Sequence, residues 1–370
     1  MTDDIRRMLR DSAADFATLD AARVRRLRGT DPGFERSVWR EMADMGWLGV
    51  LVPEEHGGLG LDLRAALIIA EQLGRALYPE PYGASAVMAT LALVHGDSAG
   101  LKQRLLPRLA AGEIIASLAW QDERGGLDLD QCAVGVRTHD GKPVLDGTSR
   151  FVPAPGADAF VVAARSAQGL ELYWIARDAA GLNCETELLA DGCASARLTF
   201  HAVAAAADAR VASATTARAS LQLAIDHATL TASAELLGLM DCALDMTLAY
   251  MRTRVQFGKP LGSFQALQHR AVDLYIQKEL SRAALNAAAA TMGARDCTPA
   301  KRAAAVSGAK ARASQAALAI CAEALQMHGA IGYTDEYDLG LYLNRALVLS
   351  AWLGNASAHR SRYAAIMECA

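Results

Sequence analysis

This 370-residue chain has few aromatic residues and no large excess of charge of one sign, and both properties limit the classes of protein to which it can belong. Aromatic residues make up only 6% of the sequence, whereas 52% is hydrophobic and consists largely of alanine and leucine. This composition excludes a disordered chain and favours closely packed helices over a β-rich fold. A large excess of charge of one sign is also lacking, since 37 basic and 41 acidic residues give a net charge of −4. The chain therefore has no overall field that would attract nucleic acid or an anionic membrane.

Long apolar runs and paired cysteines are absent as well. No stretch of about 18 uninterrupted apolar residues occurs, so we expect no membrane span. The seven cysteines are scattered without a Cys-x-x-Cys pair, which is typical of reduced thiols. The charged start at residues 1–7 has no apolar core behind it, so we expect no secretory signal and a cytoplasmic location. None of the eight histidines pairs with another at four-residue spacing, so we expect no metal site.

The apolar pattern divides the chain into three regions. In residues 1–113 the apolar positions recur at helical spacing, interrupted by a glycine-rich break at 53–60. Residues 114–210 contain short β-type runs separated by turn signals. Residues 211–370 return to long alanine- and leucine-rich runs, which we read as four helices. We therefore predict a mainly α fold with a central β-domain, in which an N-terminal helical domain, a small β-barrel-like domain and a C-terminal four-helix bundle follow one another.

Two segments of the last region carry residue types that a plain connection does not need. Residues 252–269 join two predicted helices and combine cations, amides and a phenylalanine with two glycines. Such a set can bind a phosphorylated, aromatic ligand, although on composition alone a solvated turn is equally compatible. Residues 326–337 end a predicted helix with glycines that let a ligand approach the backbone. Taken alone, this second segment is also compatible with a helix C-cap and turn.

Together the two segments resemble the acyl-CoA dehydrogenase family. The first follows its Arg-x-x-Phe-Gly-x-x-(Leu/Ile)-x-x-x-Gln pattern and the second its Gln-x-x-Gly-Gly-x-Gly-(Tyr/Phe) pattern, with alanine replacing the second glycine. Residues 53–60 match the family's Pro-Glu-Glu-x-Gly-Gly-x-Gly, and residues 254–273 are most similar to the small-subunit type of pimeloyl-CoA dehydrogenase. The residues at the motif positions that concern the cofactor are Arg254, Phe257, Gln265, Gln326 and Gly329.

The resemblance implies an FAD-dependent oxidoreductase that removes two hydrogens from the α and β carbons of an acyl-CoA thioester. It implies that Arg254, Phe257 and Gln265 contact the ADP portion of FAD on a neighbouring subunit. Gln326 and Gly329 would approach the other end of the same ADP moiety. Because the cofactor is shared between chains, we expect a homodimer, a homotetramer or a hetero-oligomer with an unlike subunit of the family. Electron-transfer flavoprotein is the implied electron acceptor.

The sequence departs from the family at the catalytic base. Counting from Arg345, the usual glutamate position is occupied by Gly354, which has no side chain to take a proton. The alternative family position, on the first bundle helix, is Ala228. Glu235 lies about 20° around the helix from Ala228 and roughly 10 Å further along its axis, so it is our candidate base. An ion pair between Glu235 and a basic neighbour is the alternative interpretation.

The flavin-facing part of the β-domain departs from the family as well. Two aromatic residues of this region are candidates for the cofactor site. Trp120 lies in the stretch that replaces the family's Thr-Glu-Pro-x-x-Gly-Ser-Asp, and Phe151 replaces the tryptophan of its Trp-Ile-Thr-Asn. Pro153 replaces a threonine whose N–H contacts the flavin, and proline has no N–H to donate. Three functions stay open: an acyl-CoA dehydrogenase subunit, a catalytically silent subunit that stabilises an active partner, or another flavin or CoA-ester reaction. Nothing in the sequence identifies the acyl chain.

Overall fold

The computed structural model describes residues 3–368 and leaves Met1, Thr2, Cys369 and Ala370 outside. Helices come first, strands follow, and long helices complete the chain, so the predicted mainly α fold with a central β region is confirmed. The six cysteines that lie within the described residues are free. Across this part of the chain, none of the helices combines the length and the apolar character that a membrane crossing requires. The first helices are α1 (Asp3–Phe16), α2 (Ala21–Leu27), α3 (Arg36–Asp44), α4 (Leu63–Arg75), α5 (Thr90–Val94) and α6 (Ala99–Ala110).

The described residues divide into two compact units that are not contiguous in sequence. The first comprises residues 26–66 and 79–228, and the second comprises residues 3–25, 67–78 and 229–368. The predicted domains 1–113, 114–210 and 211–370 follow the order of helices and strands, and as independent domains they stay a prediction.

The first unit contains an eight-stranded sheet. Seven strands pair in the order β6-β7-β3-β2-β4-β5-β8, while β1 pairs in parallel with β4. No pairing joins β6 to β8 among the described residues, so the sheet is open and does not close into the barrel-like form that we expected. The strands are β1 (Ala116–Ala119), β2 (Gly135–His139), β3 (Lys142–Pro153), β4 (Ala159–Ser166), β5 (Gly169–Ala176), β6 (Leu182–Leu188), β7 (Ala194–Ala204) and β8 (Arg210–Ala212).

The second unit contains long helices that pack on one central helix, α9. Thr298 caps the start of α9 by accepting a hydrogen bond from the Lys301 N–H, and Pro299 occupies the first turn, where its missing N–H costs nothing. Helices α8, α10 and α11 all contact α9. The last of the four predicted helical runs is two helices, α10 and α11. The helices of this region are α7 (Ala217–Thr253), α8 (Gln265–Met292), α9 (Pro299–His328), α10 (Leu339–Ala351) and α11 (Ala356–Glu368).

Two glycines allow the parts of α4 and α7 that belong to the second unit to touch backbone to backbone. A Cβ atom on Gly74 would lie 2.2 Å from the carbonyl oxygen of Glu235, and a Cβ atom on Gly238 would lie 1.9 Å from that of Glu71. No real side chain tolerates such distances, so the contact requires glycine at both positions. This close approach fixes the position of Glu235 on α7 relative to α4.

We expect Gly238→Ala to lower the free energy of unfolding by about 3 kcal/mol, because the added methyl group overpacks the helix contact. Gly308→Ala is the matched control. Gly308 lies inside α9 with nothing within 4 Å of its would-be Cβ, so alanine there should stabilise the protein by about 0.5–1 kcal/mol. Urea unfolding of the two variants measures both effects, and a Gly238→Ala protein as stable as wild type would contradict the helix contact.

Candidate active site

A strained two-residue hairpin carries the phenylalanine of the first motif. Strands β9 (Val255–Gln256) and β10 (Lys259–Pro260) pair antiparallel, and the residues between them, Phe257 and Gly258, have φ of +52° and +78°. Two left-handed residues make a tight reversal, but this conformation costs roughly 1–2 kcal/mol at a residue other than glycine. The Phe257 side chain gains little burial in return, since it is 90% exposed. A ring held outward at a cost to folding is typical of a contact with a ligand or another chain.

The remaining predicted ADP contacts are also on the surface of the second unit. Arg254, Gln265, Gln326 and Gly329 are all exposed. The Arg254 guanidinium makes no ion pair with any residue that the structure describes, so its charge is available to a pyrophosphate. Together with the Phe257 ring, these groups supply a cation, amides and an apolar face. The residues present therefore fit the ADP portion of FAD.

His328 brings the two motif segments together. Its ring stacks on Tyr250 with 4.4 Å between the centroids, and the carbonyl of Tyr250 accepts a hydrogen bond from the Arg254 N–H at 2.8 Å. The stacked rings thus join the last turn of α7, which precedes Arg254, to the last turn of α9, which precedes Gly329. At Gly329 the chain turns with φ +69° and ψ −145°, a conformation that only glycine adopts readily.

The hydrogen bonds of His328 define the tautomer of its neutral ring. Nδ1 donates to the Ala324 carbonyl at 2.7 Å, which leaves Nε2 to accept from the Tyr337 hydroxyl at 3.0 Å. Burial lowers the pKa of His328 below its usual value, although the bond to Ala324 acts in the opposite direction. Neither Tyr250 nor His328 was singled out from the sequence. The signal lay in the position of His328, directly before the motif glycine.

Glu235, the candidate base, forms an ion pair. Its Oε1 accepts hydrogen bonds from Nε and Nη2 of Arg345 at 2.9 and 2.6 Å. The two side chains are only 12% and 18% exposed, so water screens the pair weakly. The ion pair that we considered as the alternative is therefore present, and a role for Glu235 as a base stays a prediction.

The turn between α10 and α11 carries Gly354, the residue that counting from Arg345 predicts at the usual base position. Leu353 and Gly354 have φ of +58° and +97°, so both are left-handed. The Leu353 side chain is only 2% exposed, which anchors this unusual backbone in the core. A glutamate at position 354 would add strain, because side chains beyond glycine rarely adopt this φ. The backbone at this position thus suits glycine and disfavours the usual base.

Two buried donors that sequence reasoning missed hold the same turn. Lys310 is fully buried on α9, and burial lowers its pKa to about 7 although Glu235 nearby acts in the opposite direction. His359 of α11 is 1% exposed, and burial lowers its pKa to about 4. A signal for Lys310 was present, because a lysine stands four residues before Ser314 on the apolar face of an alanine-rich helix.

In the first unit, the two candidates for the flavin ring differ in exposure. Trp120 is only 4% exposed, so its ring belongs to the core and offers little surface to a cofactor. Phe151 lies at a bulge, where β3 advances three residues from Ser149 to Val152 while β7 advances two. Its φ is +57°, and a Cβ atom on Gly125 would lie 2.9 Å from its ring. Phe151 and the loop of Gly125 therefore form one contact, and the binding of flavin by these residues stays a prediction.

We expect acid to destabilise the protein through His359. The unfolded chain takes up a proton near pH 6.5, whereas folded His359, with its lowered pKa, takes it up only near pH 4. The stability contributed by the neutral ring is therefore complete above pH 6.5 and is lost as the pH falls toward 4, by about 3 kcal/mol. Urea unfolding at a series of pH values should show a smaller acid loss for His359→Gln. An identical pH dependence in both proteins would contradict the assignment.

The fold is mainly helical, and the surface set of cation, amides and outward phenylalanine is suited to a nucleotide cofactor. Residues 3–113 match the family description "Acyl-CoA dehydrogenase, N-terminal domain", and residues 218–367 match "Acyl-CoA dehydrogenase, C-terminal domain". The chain belongs to the acyl-CoA dehydrogenase family, whose members are flavoprotein oxidoreductases that bind FAD. The resemblance stated from the motifs is thereby confirmed.

Several related proteins match this chain along almost its whole length. Acyl-CoA dehydrogenase IpdE2 of Mycobacterium tuberculosis is 32% identical over 345 residues, covering 92% of this chain and 90% of the relative. Mitochondrial isovaleryl-CoA dehydrogenase of Solanum tuberosum is 28% identical over 376 residues, covering 97% and 89%. Among solved structures, a variant of the Tcur3481-Tcur3483 steroid ACAD has a TM-score of 0.85 at 30% identity, covering 99% of this chain and 97% of its own. The ChsE4-ChsE5 complex of Mycobacterium tuberculosis has a TM-score of 0.90 at 26% identity, covering 100% and 98%.

Proposed function

We propose that this chain is an FAD-binding subunit of an acyl-CoA dehydrogenase oligomer and that it lacks the usual catalytic glutamate. The observation that carries the proposal is the left-handed turn with Gly354 at the base position. A lost glutamate would leave an ordinary backbone behind, whereas here the backbone itself is suited to glycine. This backbone supports a subunit that lacks the base as a regular feature and not through a chance loss.

FAD, when bound, supplies the acceptor for the hydride that leaves the β carbon of the acyl-CoA. The chain contributes a cation from Arg254 for the pyrophosphate and an apolar face from Phe257. The Gln265 and Gln326 amides can donate and accept hydrogen bonds along the ADP portion. The stacked pair of His328 and Tyr250 holds these groups in place, and the acyl-CoA substrate class follows from the family.

The α proton needs a base from elsewhere. Within this chain the candidate is Glu235, but its carboxylate is engaged by Arg345. A carboxylate from an unlike subunit is the arrangement that we favour, and two structural relatives are named as pairs of chains, ChsE4-ChsE5 and Tcur3481-Tcur3483. A homodimer or homotetramer, with Glu235 as its base, is the other arrangement. Electron-transfer flavoprotein is the proposed acceptor of the electrons.

A catalytically silent subunit is the second candidate function. The glycine-adapted turn and the ion-paired Glu235 favour it, because together they leave this chain without a free carboxylate at either site considered. Such a subunit would stabilise an active partner chain. For both functions, the free cysteines among the described residues support a reducing compartment, and we propose the cytoplasm.

We expect Arg254→Ala to lower the flavin content of the purified oligomer several-fold without unfolding it, since an exposed cation is removed and no core volume is lost. Arg252→Ala, which removes an exposed charge two residues away, is the matched control and should keep its flavin. Flavin absorbance per chain, compared at equal oligomeric state, measures both. Equal flavin in the two variants would count against the cofactor site.

We expect acyl-CoA thioesters to bleach the flavin bound to the purified chain only slowly. The chain lacks the usual base, and general-base catalysis typically contributes about 10²–10⁴ in rate. Stopped-flow absorbance with butyryl-CoA and isovaleryl-CoA measures the bleaching. Fast bleaching by the wild-type homo-oligomer would exclude the silent subunit, and its loss in Glu235→Gln would identify Glu235 as the base. Fast bleaching that survives this substitution would show that neither Glu235 nor a partner's carboxylate is needed.

A further inference from the structure

The turn that carries Gly354 is tied into the protein on both sides by buried donors. Lys310 reaches the carbonyls of Leu349 and Ser350 before the turn, and His359 reaches the carbonyl of Leu353 within it. We propose that Lys310 and His359 are positioning residues that hold this turn in the conformation required by the acyl-CoA site. The inference rests on the proposed function, since that function places the site at Gly354.

Lys310 acts as a cap for the end of α10. The last carbonyls of a helix have no partner within it, and they favour a positive charge. The Lys310 ammonium donates to Leu349 O at 2.5 Å, to Ser314 Oγ at 3.1 Å and, at a longer 3.4 Å, to Ser350 O. Its three protons thus have three acceptors, and α9 is joined to the end of α10 immediately before the turn.

A second link between the same helices strengthens this anchor. The Ser350 hydroxyl donates to the Ser314 carbonyl at 3.2 Å. Ser314 therefore serves both Lys310 and Ser350, and all three side chains are at most 4% exposed. A polar network inside an apolar bundle specifies one register between α9 and α10, because a shifted register would leave buried polar groups without partners.

His359 fixes the other side of the turn. Its Nε2 donates to Leu353 O at 2.8 Å, so the ring carries its proton there. The second nitrogen, Nδ1, is buried and has no hydrogen-bond partner among the described residues. An unsatisfied buried nitrogen is unfavourable, and a glutamine could reach the carbonyl without it. Burial lowers the pKa of the His359 ring, and the positive charges of Lys310 and Arg362 act in the same direction.

The two donors explain how a strained turn persists. Leu353 is left-handed, which a leucine rarely adopts without restraint from its surroundings. Its own carbonyl is held by His359, and the carbonyls three and four residues earlier are held by Lys310. The segment between these bonds can relax only if one of them breaks. Loss of either donor should therefore loosen the turn itself, and Gly354 with it, before the rest of the bundle.

Four variants of the oligomer test the proposal in two matched pairs. Lys310→Met removes the donor and keeps the length of the side chain, whereas Lys310→Arg keeps a donor. His359→Phe removes the donor at similar size, whereas His359→Gln places an N–H where Nε2 stood. The histidine pair keeps the test decisive if a substitution of Lys310 prevents folding.

The first measurement is amide hydrogen exchange of residues 351–355, followed by mass spectrometry. The second is the affinity for isovaleryl-CoA and butyryl-CoA, read from the absorbance change of bound flavin. We expect Lys310→Met and His359→Phe to accelerate exchange in the turn roughly tenfold, with α8 unchanged, and to weaken acyl-CoA binding by a similar factor. Lys310→Arg and His359→Gln should remain within about threefold of wild type in both measurements.

Wild-type exchange in the turn of Lys310→Met and His359→Phe would overturn the proposal. A loosened turn with unchanged acyl-CoA binding would overturn it too, because the donors would then serve the fold alone. A wild-type oligomer without flavin would instead contradict the proposed function. The exchange measurement needs no flavin, so it would still decide whether the two donors hold the turn.

Discussion

The small-residue surface of α9 is the constraint on which the geometry of the second unit depends. Alanine and serine line its buried face, so α8, α10 and α11 can all pack on it closely. In such a closely packed interior, a buried polar group without a hydrogen-bond partner is unfavourable. Lys310 and Ser314 have hydrogen-bond partners in the middle of α9, and His328 has partners at its end.

The two candidate functional regions of the second unit depend on this packing. At the end of α9, His328 stacks on Tyr250 and sets Gly329 beside the segment that carries Arg254 and the outward Phe257. In its middle, Lys310 holds the end of α10 and the turn with Gly354. One helix thus connects the proposed cofactor surface with the proposed position of the missing base. The half-buried ion pair of Glu235 and Arg345 links α7 to α10.

The sequence was sufficient for the order of helices and strands and for the motifs, because periodic apolar residues and a long ordered pattern are local signals. The assignment of Gly354 to the base position, made by counting from Arg345, stays a prediction. The partner of Glu235 could not be named, since 110 residues separate the ion pair and only the fold brings its members together. The open sheet, the left-handed Leu353 and the buried His359 carry no local pattern. The burial of Trp120 also carries no local pattern, and its contact with the cofactor stays a prediction.

The central claim is that the exposed Phe257 surface completes a cofactor site shared between chains, in a subunit adapted to glycine at position 354. An electron cryomicroscopy map of the purified, flavin-loaded oligomer tests it most directly. The account predicts that the ADP portion of FAD lies against Arg254 and Phe257 of one chain while the rest of the same cofactor is held by another chain, and that the turn at Gly354 stays left-handed. A flavin bound entirely within one chain, with Phe257 facing solvent, would contradict the account.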